Sequence, residues 1–158
     1  MATIKRVGYG QVEDNHLSAK RNGRVYAQLP AAEGIDILEN GQFVKYDYAA
    51  GEVNLDGNGE WFLVYNEEKL YDPRHQMHKD FALERENGSL VPRVLGLTPG
   101  DIYTTNMIVE ENVSVGDRLA PNDQGILAPA NDGFIQVAAI TTLPDMQKAV
   151  KLQVIANQ

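Results

Sequence analysis

The sequence predicts an all-β protein, a small β-barrel or sandwich of short antiparallel strands, with an extended N-terminal arm and at most one short helix. Three observations carry this. Of 158 residues, 43% are hydrophobic and 23% charged, and the mean hydropathy is -0.34, values that exclude a generally disordered chain and a membrane-embedded one. Fourteen Gly and seven Pro punctuate the chain, and polar connecting stretches recur about every ten residues, the spacing of short strands. Between them, apolar and polar residues alternate at the two-residue period of a half-buried strand. The length suits one ordinary domain, or two small lobes sharing a core.

Val25, Ala27 and Leu29 alternate with Tyr26 and Gln28 until Pro30 stops the run, which predicts a first strand. Ile35 to Glu39, Asn40-Gly41 and Phe43 to Tyr46 read as strand, type I′ turn and strand, because Asn-Gly supplies two left-handed positions. Ala49-Ala50-Gly51 turns the chain again, Val53 and Leu55 alternate, Asp56-Gly57-Asn58-Gly59 is a loop, and Trp61 to Tyr65 is a core strand. Asp72-Pro73 is a helix start, with Asp as N-cap and Pro at the first helical position. Phe81 to Leu83, Asn87-Gly88 and Leu90 to Leu95 carry a hairpin pattern, with Pro92 marking an edge. Thr98-Pro99-Gly100-Asp101 is a turn, Ile102 to Val109 a β-branched strand, and Phe134 to Ile140 with Ala149 to Ile155 a closing hairpin around Pro144-Asp145.

An internal echo overlays Gly41-Gln42-Phe43-Val44, Gly51-Glu52-Val53 and Gly59 to Leu63 on Gly116-Asp117-Arg118-Leu119, Gly125-Ile126-Leu127 and Gly133 to Val137. The offset of 75 and then 74 positions predicts two related β units near residues 35–65 and 108–140.

Charge is uneven along the chain. Lys plus Arg number 14 and Asp plus Glu 22, a net -8. Residues 1–24 hold Lys5, Arg6, Lys20, Arg21 and Arg24 against Glu13 and Asp14, which is +3 and leaves -11 for the rest. Residues 1–23 are therefore expected to be a basic arm in front of an acidic β-rich domain, 24–158. Such an arm would dock on an acidic neighbour through Lys5, Arg6, Tyr9, Lys20, Arg21 and Arg24, and its removal is expected to leave the fold intact. A polar leader with no partner is the plainer reading of the same residues. The acidic body disfavours nucleic acid. The N-terminus has the polarity of a cytoplasmic start rather than a secretory leader, no apolar run is long enough for a membrane helix, and without cysteine there is neither a disulfide frame nor a thiol nucleophile.

Candidate chemistry is thin. His75 and His78 would share a helix face, a metal-binding spacing, but Arg74 and Lys79 flank them and oppose a dication. Asp56-Gly57-Asn58-Gly59 and Asn122-Asp123-Gln124-Gly125 lack the ligand alternation of a calcium loop and read as turns. Glu67-Glu68 and Glu110-Glu111 are adjacent, so on a strand they point to opposite faces and cannot form a carboxylate pair. No nucleophile elbow or phosphate-cradling loop occurs. The expectation is a protein that is not an enzyme and takes no cofactor or metal. Tyr46 and Tyr48, on either side of Asp47, are candidate interface aromatics, while Trp61 belongs to the core.

One resemblance enters here. Val113-Ser114-Val115-Gly116-Asp117-Arg118-Leu119-Ala120, followed by Asp123-Gln124-Gly125-Ile126-Leu127-Ala128-Pro129 and a hydrophobic strand, resembles the head decoration (cement) proteins of tailed bacteriophages and related capsid accessory proteins. Leu97-Thr98-Pro99-Gly100-Asp101-Ile102-Tyr103-Thr104-Thr105-Asn106 looks like a second Gly-Asp turn of that kind, and the similarity covers residues 90–157. The resemblance implies a virion structural protein, made in the host cytoplasm, that binds the major capsid protein on the capsid's outer surface and stabilises the lattice. It also implies a homo-oligomer, trimer or dimer; the acidic charge and the absence of a long apolar run add the expectation of no nucleic-acid or membrane partner. The alternative from a different class is a small ligand-binding module for carbohydrate, stacking sugars on Trp61 and the tyrosines; a third is a hydrolase with scattered catalytic residues.

Overall fold

A central four-stranded sheet is apolar on both faces, and the rest of the fold follows from the need to cover each. It consists of β4 (Phe43–Asp47), β5 (Glu52–Asn54), β6 (Trp61–Val64) and β8 (Val94–Leu95) in the order β5-β4-β6-β8, all antiparallel. Alternate residues of the continuous run Trp61 to Tyr65 must point to opposite faces. Leu63, Tyr65, Phe43 and Leu95 enter one core, with Trp61 packed at its margin. Phe62, Val64, Val44, Tyr46, Val53 and Val94 enter a second core with Ala31, Leu38 and Leu90. The structure, a computed structural model, describes residues 2–21, 28–66, 82–85, 88 and 90–158, without the side chains of residues 20–21 and 82–84.

The first core is closed by a six-stranded sheet. Its members are β2 (Val12–His16), β9 (Ile102–Thr105), β11 (Arg118–Pro121), β12 (Leu127–Pro129), β13 (Ile135–Thr142) and β14 (Lys148–Val154), in the order β12-β11-β13-β14-β9-β2. Tyr103, Leu119, Ile135, Val137, Val150, Leu152 and Val154 meet Phe43, Leu63 and Leu95 in one cluster, and Phe43 packs edge-on against Phe134 at 6.4 Å. Two small pairs complete the described sheets: β1 (Ala2–Thr3) with β10 (Asn112–Val113), and β3 (Ile37–Glu39) with β7 (Ala82–Glu84). The fold is all-β, a sandwich of short antiparallel strands and not a closed barrel, with a single helical turn among the described residues at α1 (Ser18–Arg21). The sheets meet backbone to backbone where the Phe43 amide donates to the Gly125 carbonyl at 2.7 Å. A β-carbon on Gly125 would collide with the Phe43 carbonyl oxygen, which is why this position carries none.

One turn is built three times. In Glu39-Asn40-Gly41-Gln42, Thr98-Pro99-Gly100-Asp101 and Ser114-Val115-Gly116-Asp117, the fourth residue's amide donates to the first residue's carbonyl at 3.2, 3.1 and 3.0 Å. Its side chain in turn accepts from the first residue's amide at 2.7 Å (Gln42), 3.0 Å (Asp101) and 2.8 Å (Asp117). The third residue is glycine with φ of 93°, 99° and 96°, as a type II turn demands. Each glycine amide then donates to a valine carbonyl on a neighbouring strand, at 3.0 Å (Val64), 2.8 Å (Val154) and 2.8 Å (Val137), and each valine amide donates back to the fourth residue. The turn thus starts a strand and fixes its register in one step.

Two of these turns open the echoed units, whose topology agrees. β4 is central to β5 and β6 as β11 is to β12 and β13, and Lys45↔Asn54 is matched by Ala120↔Ala128. The third strands differ by one position from the sequence overlay, because Val64 and Val137 occupy equivalent places. The units share one core.

Several sequence expectations need correction. Asn40-Gly41 is not a type I′ turn, since Gly41 alone has positive φ, and the strands beside it do not pair with each other: β3 pairs with β7, β4 with β5 and β6. Residues 81–95 are not a hairpin, because β7 goes to β3 while β8 edges the four-stranded sheet. The strand expected over 102–109 ends at Thr105. The strand over 25–29 falls mostly outside the described residues, and Gln28-Leu29 is not strand. The helix at Asp72-Pro73 and the His75/His78 pair lie outside the described residues.

The largest correction concerns the arm. Residues 2–17 are extended, but they are laid on the chain's own body. β1 pairs with β10, β2 pairs with β9, Ile4 is fully buried, and Leu17 and Ala19 are 2% exposed within the first core.

Candidate docking surface

The loop joining β1 to β2 carries three of the residues expected to contact a partner. Buried Ile4 anchors its start and Gly8, at φ 75°, reverses it. Gln147, just past the turn between β13 and β14, reads the loop as a strand would: its Oε1 accepts from the Val7 amide at 3.1 Å and its Nε2 donates to the Val7 carbonyl at 3.1 Å. Asn106, fully buried at the end of β9, donates to Gln147 Oε1 at 2.9 Å and accepts from the Gln11 amide at 2.7 Å. The Asp145 carboxylate receives Gln11 Nε2 at 2.9 Å and Gln147 Nε2 at 2.6 Å. Burial works against its charge, but these hydrogen bonds outweigh that and hold the carboxyl below its usual range.

From the other side, Glu39 accepts from the Gly10 amide at 3.0 Å and pairs with Arg6 at 3.5 Å. Arg6 also reaches the Met107 sulfur at 2.8 Å. The loop is therefore fixed at both ends of its reversal, and what it presents outward is defined: Lys5, Val7 at 66% exposure, and beside them Met146 at 78%. Lys148 is exposed next to Met146, and neither it nor Lys5 forms an ion pair with a described carboxylate.

The expected contact residues are thus divided. Lys5, Arg6 and Tyr9 lie together on this loop, Tyr9 half-buried and Arg6 occupied by Glu39. Lys20 and Arg21 sit on α1, whose first residue is tied to the start of β9 by the Ser18 amide donating to Asp101 at 3.0 Å. That is the opposite end of β2, about 16 Å of strand away. Arg24 is outside the described residues. Sequence reasoning missed Val7, Met146, Gln147 and Asn106. The one available signal was Asn106, a polar residue ending the apolar run from Ile102.

Tyr46 and Tyr48 are stacked, with centroids 5.3 Å apart and planes at 18°, but only Tyr48, 70% exposed, is a surface residue. Tyr46 is 6% exposed and also packs on Phe62 at 4.7 Å. Beside them lies an open cleft of about 370 Å³ lined by Asp47, Tyr48, Asn54, Asp56 and Asn58. Asn54 shapes it by accepting from the Gly57 amide at 2.8 Å. Trp61 is half-buried and covered by Lys45, whose ammonium sits 4.4 Å from the ring centroid. Among the described residues no group of three or more His, Asp or Glu side chains is arranged to hold a metal ion.

Comparison with protein-family models, with curated proteins and with solved structures gives no match to this chain.

Proposed function

We propose that this is a virion structural protein that binds the outer surface of a phage capsid, contacts the major capsid protein and stabilises the lattice, working as a homo-oligomer and without catalysis. The observation that carries the reading is the Gly-Asp turn rhythm of Val113–Pro129. It is a real structural device here, and the same device recurs at Thr98-Pro99-Gly100-Asp101 and Glu39-Asn40-Gly41-Gln42. A body of packed sheets with a hydrogen-bonded loop suits a protein that works by surface contact, because a loop already held in place has little order to gain on binding.

The test is cosedimentation of the purified protein with mature capsids lacking it, followed by thermal disruption of the particles. Saturable, stoichiometric binding that raises the disruption temperature supports the reading; no binding at micromolar concentration refutes it. The exposed face of Tyr48 above a polar cleft favours a second reading, a carbohydrate-binding module. It predicts glycan binding that is lost in Tyr48→Ala. Trp61, covered by Lys45, is not the platform in that reading.

A further inference from the structure

Met146 is the only non-glycine residue among those described with positive φ, at 72°. It closes the turn between β13 and β14, where its amide donates to the Leu143 carbonyl at 2.8 Å and the Leu143 amide donates to the Gln147 carbonyl at 2.9 Å. Glycine adopts this conformation without strain, and methionine does not. A large apolar side chain is nevertheless placed here, 78% exposed, beside Val7 at 66%. The Gln147, Asn106, Gln11 and Asp145 network holds both in place. Two cations that pair with no described carboxylate, Lys5 and Lys148, flank this tip on a chain of net charge -8.

The Tyr48 cleft has the complementary character. Asp47 and Glu52 face each other directly across β4 and β5, an arrangement of like charges that opposes pairing. Asp47 and Asp56 line the cleft, and Glu52 stands beside Asp47 across the ladder. None of the three forms an ion pair with a described cation. Lys45, two residues from Asp47, is turned to the Trp61 ring and to the Gly57 carbonyl at 3.2 Å. An exposed tyrosine ring suits a methionine thioether, and three carboxylates suit two lysines.

Tip and cleft do not meet within one molecule. The loop that carries Val7 packs where β4 begins, since a β-carbon on Gly10 would strike the Asn40 carbonyl and one on Gly41 would lie 2.6 Å from Met107 Cβ. The cleft lies at the far end of β4, a strand of five residues.

We propose that the chain associates head to tail with a second copy of itself, the Val7–Met146 tip seated in the Tyr48 cleft and Lys5 and Lys148 facing Asp47, Glu52 and Asp56. The proposal rests on the homo-oligomer part of the function above and is independent of the capsid. Two different surfaces are joined, so the contact is heterologous and builds a ring if its rotation closes, or an open chain if it does not.

Sedimentation equilibrium of the intact protein from about 1 to 500 µM, a range that brackets weak association, tests it. The expected result is a mass rising with concentration above the 17.5 kDa protomer. Lys5→Glu with Lys148→Glu, and separately Glu52→Lys with Asp56→Lys, should each weaken association at least about tenfold. Mixing the two charge-reversed proteins should restore it, because reversed tip then meets reversed cleft. Met146→Gly should weaken association by a similar factor while raising the melting temperature of the dilute protomer, a pair of opposite effects that misfolding cannot produce. A single 17.5 kDa species throughout, or an oligomer indifferent to all these changes, overturns the proposal. Capsid cosedimentation of the charge-reversed proteins separates the two claims: retained binding by a monomeric variant leaves the capsid reading standing.

Discussion

Replacing Leu17 by alanine tests whether the N-terminal segment is part of the folded body. Leu17 follows β2, is 2% exposed, and joins Ile4, Ala19 and Tyr103 in the first core. A fully buried leucine contributes its transfer free energy, and its loss also leaves a cavity that rigid β neighbours fill poorly, so the change should cost about 2–5 kcal/mol. That is a large share of the ~5–15 kcal/mol that holds a domain of this kind together. For a chain of this length, a loss of ~3 kcal/mol lowers the melting temperature by about 6–12 °C. Urea unfolding with an unchanged m-value reads the loss directly, with Lys5→Ala as the exposed control, expected within ~0.5 kcal/mol of the parent. Equal midpoints for the two variants would refute the packing described here and return residues 1–23 to the status of a dispensable arm. By the same reasoning, deleting residues 1–20 removes Ile4, Leu17 and Ala19 and strips β2 from β9, and the remaining chain should fail to unfold cooperatively.

Three further outcomes follow from other parts of the fold. Tyr103 is fully buried and its hydroxyl has no hydrogen-bond partner among the described residues, and burial pushes the phenol's pKa well above its ordinary value. Tyr103→Phe should therefore leave stability unchanged or raise it by ~1 kcal/mol in thermal unfolding, and a loss above ~1 kcal/mol would show that the hydroxyl is satisfied. Asp101 is 1% exposed, and its two carboxylate oxygens accept from the Ser18 and Thr98 amides. Asp101→Ala orphans both donors and should cost about 2–4 kcal/mol in urea unfolding; a cost no larger than that of an exposed control would refute the double cap. The Asp145 carboxyl titrates below its usual range, so its contribution is complete above the unfolded value and fades as pH falls toward the folded one. The stability difference between the parent and Asp145→Asn should be constant at neutral pH and shrink below about pH 4; a difference unchanged at pH 3 would contradict that assignment.

The sequence was most legible where local chemistry and long-range pairing agree. The closing hairpin was readable because Pro144-Asp145 supplies the turn and two long alternating runs flank it, and Ile135–Thr142 pairs with Lys148–Val154 across nearly their full length. Asn40-Gly41 misled for the converse reason. The dipeptide is the best local hairpin signal in the chain, yet Glu39 is held to Ala82 and Phe43 to Leu63, so partners far along the chain decided the geometry. Composition also misled over the arm. The five cations of residues 1–24 stand out in any charge count, whereas Ile4, Leu17 and Ala19, which place the segment in the core, are single apolar residues with no periodicity to reveal them. The proposed docking surface was half legible: Lys5 and Arg6 stand out by charge, but Val7 and Met146 become neighbours only through amide contacts between residues 140 positions apart.

The repeated turn explains how so short a set of strands achieves a unique register. A strand of three or four residues can slip by one position, and a slip reverses which side chains are buried. In each turn the glycine and the residue after it exchange hydrogen bonds with a single valine, and the side chain of that next residue locks the turn's own entrance. Register is thereby fixed by hydrogen-bond geometry at the start of the strand, in addition to the apolar contacts along it. Two of the three copies use Asp and the third uses Gln42, whose longer side chain reaches the same amide at 2.7 Å. The device therefore requires an acceptor at that position rather than a charge. That tolerance is why the Gly-Asp rhythm, read as letters, revealed two of the copies and concealed the third.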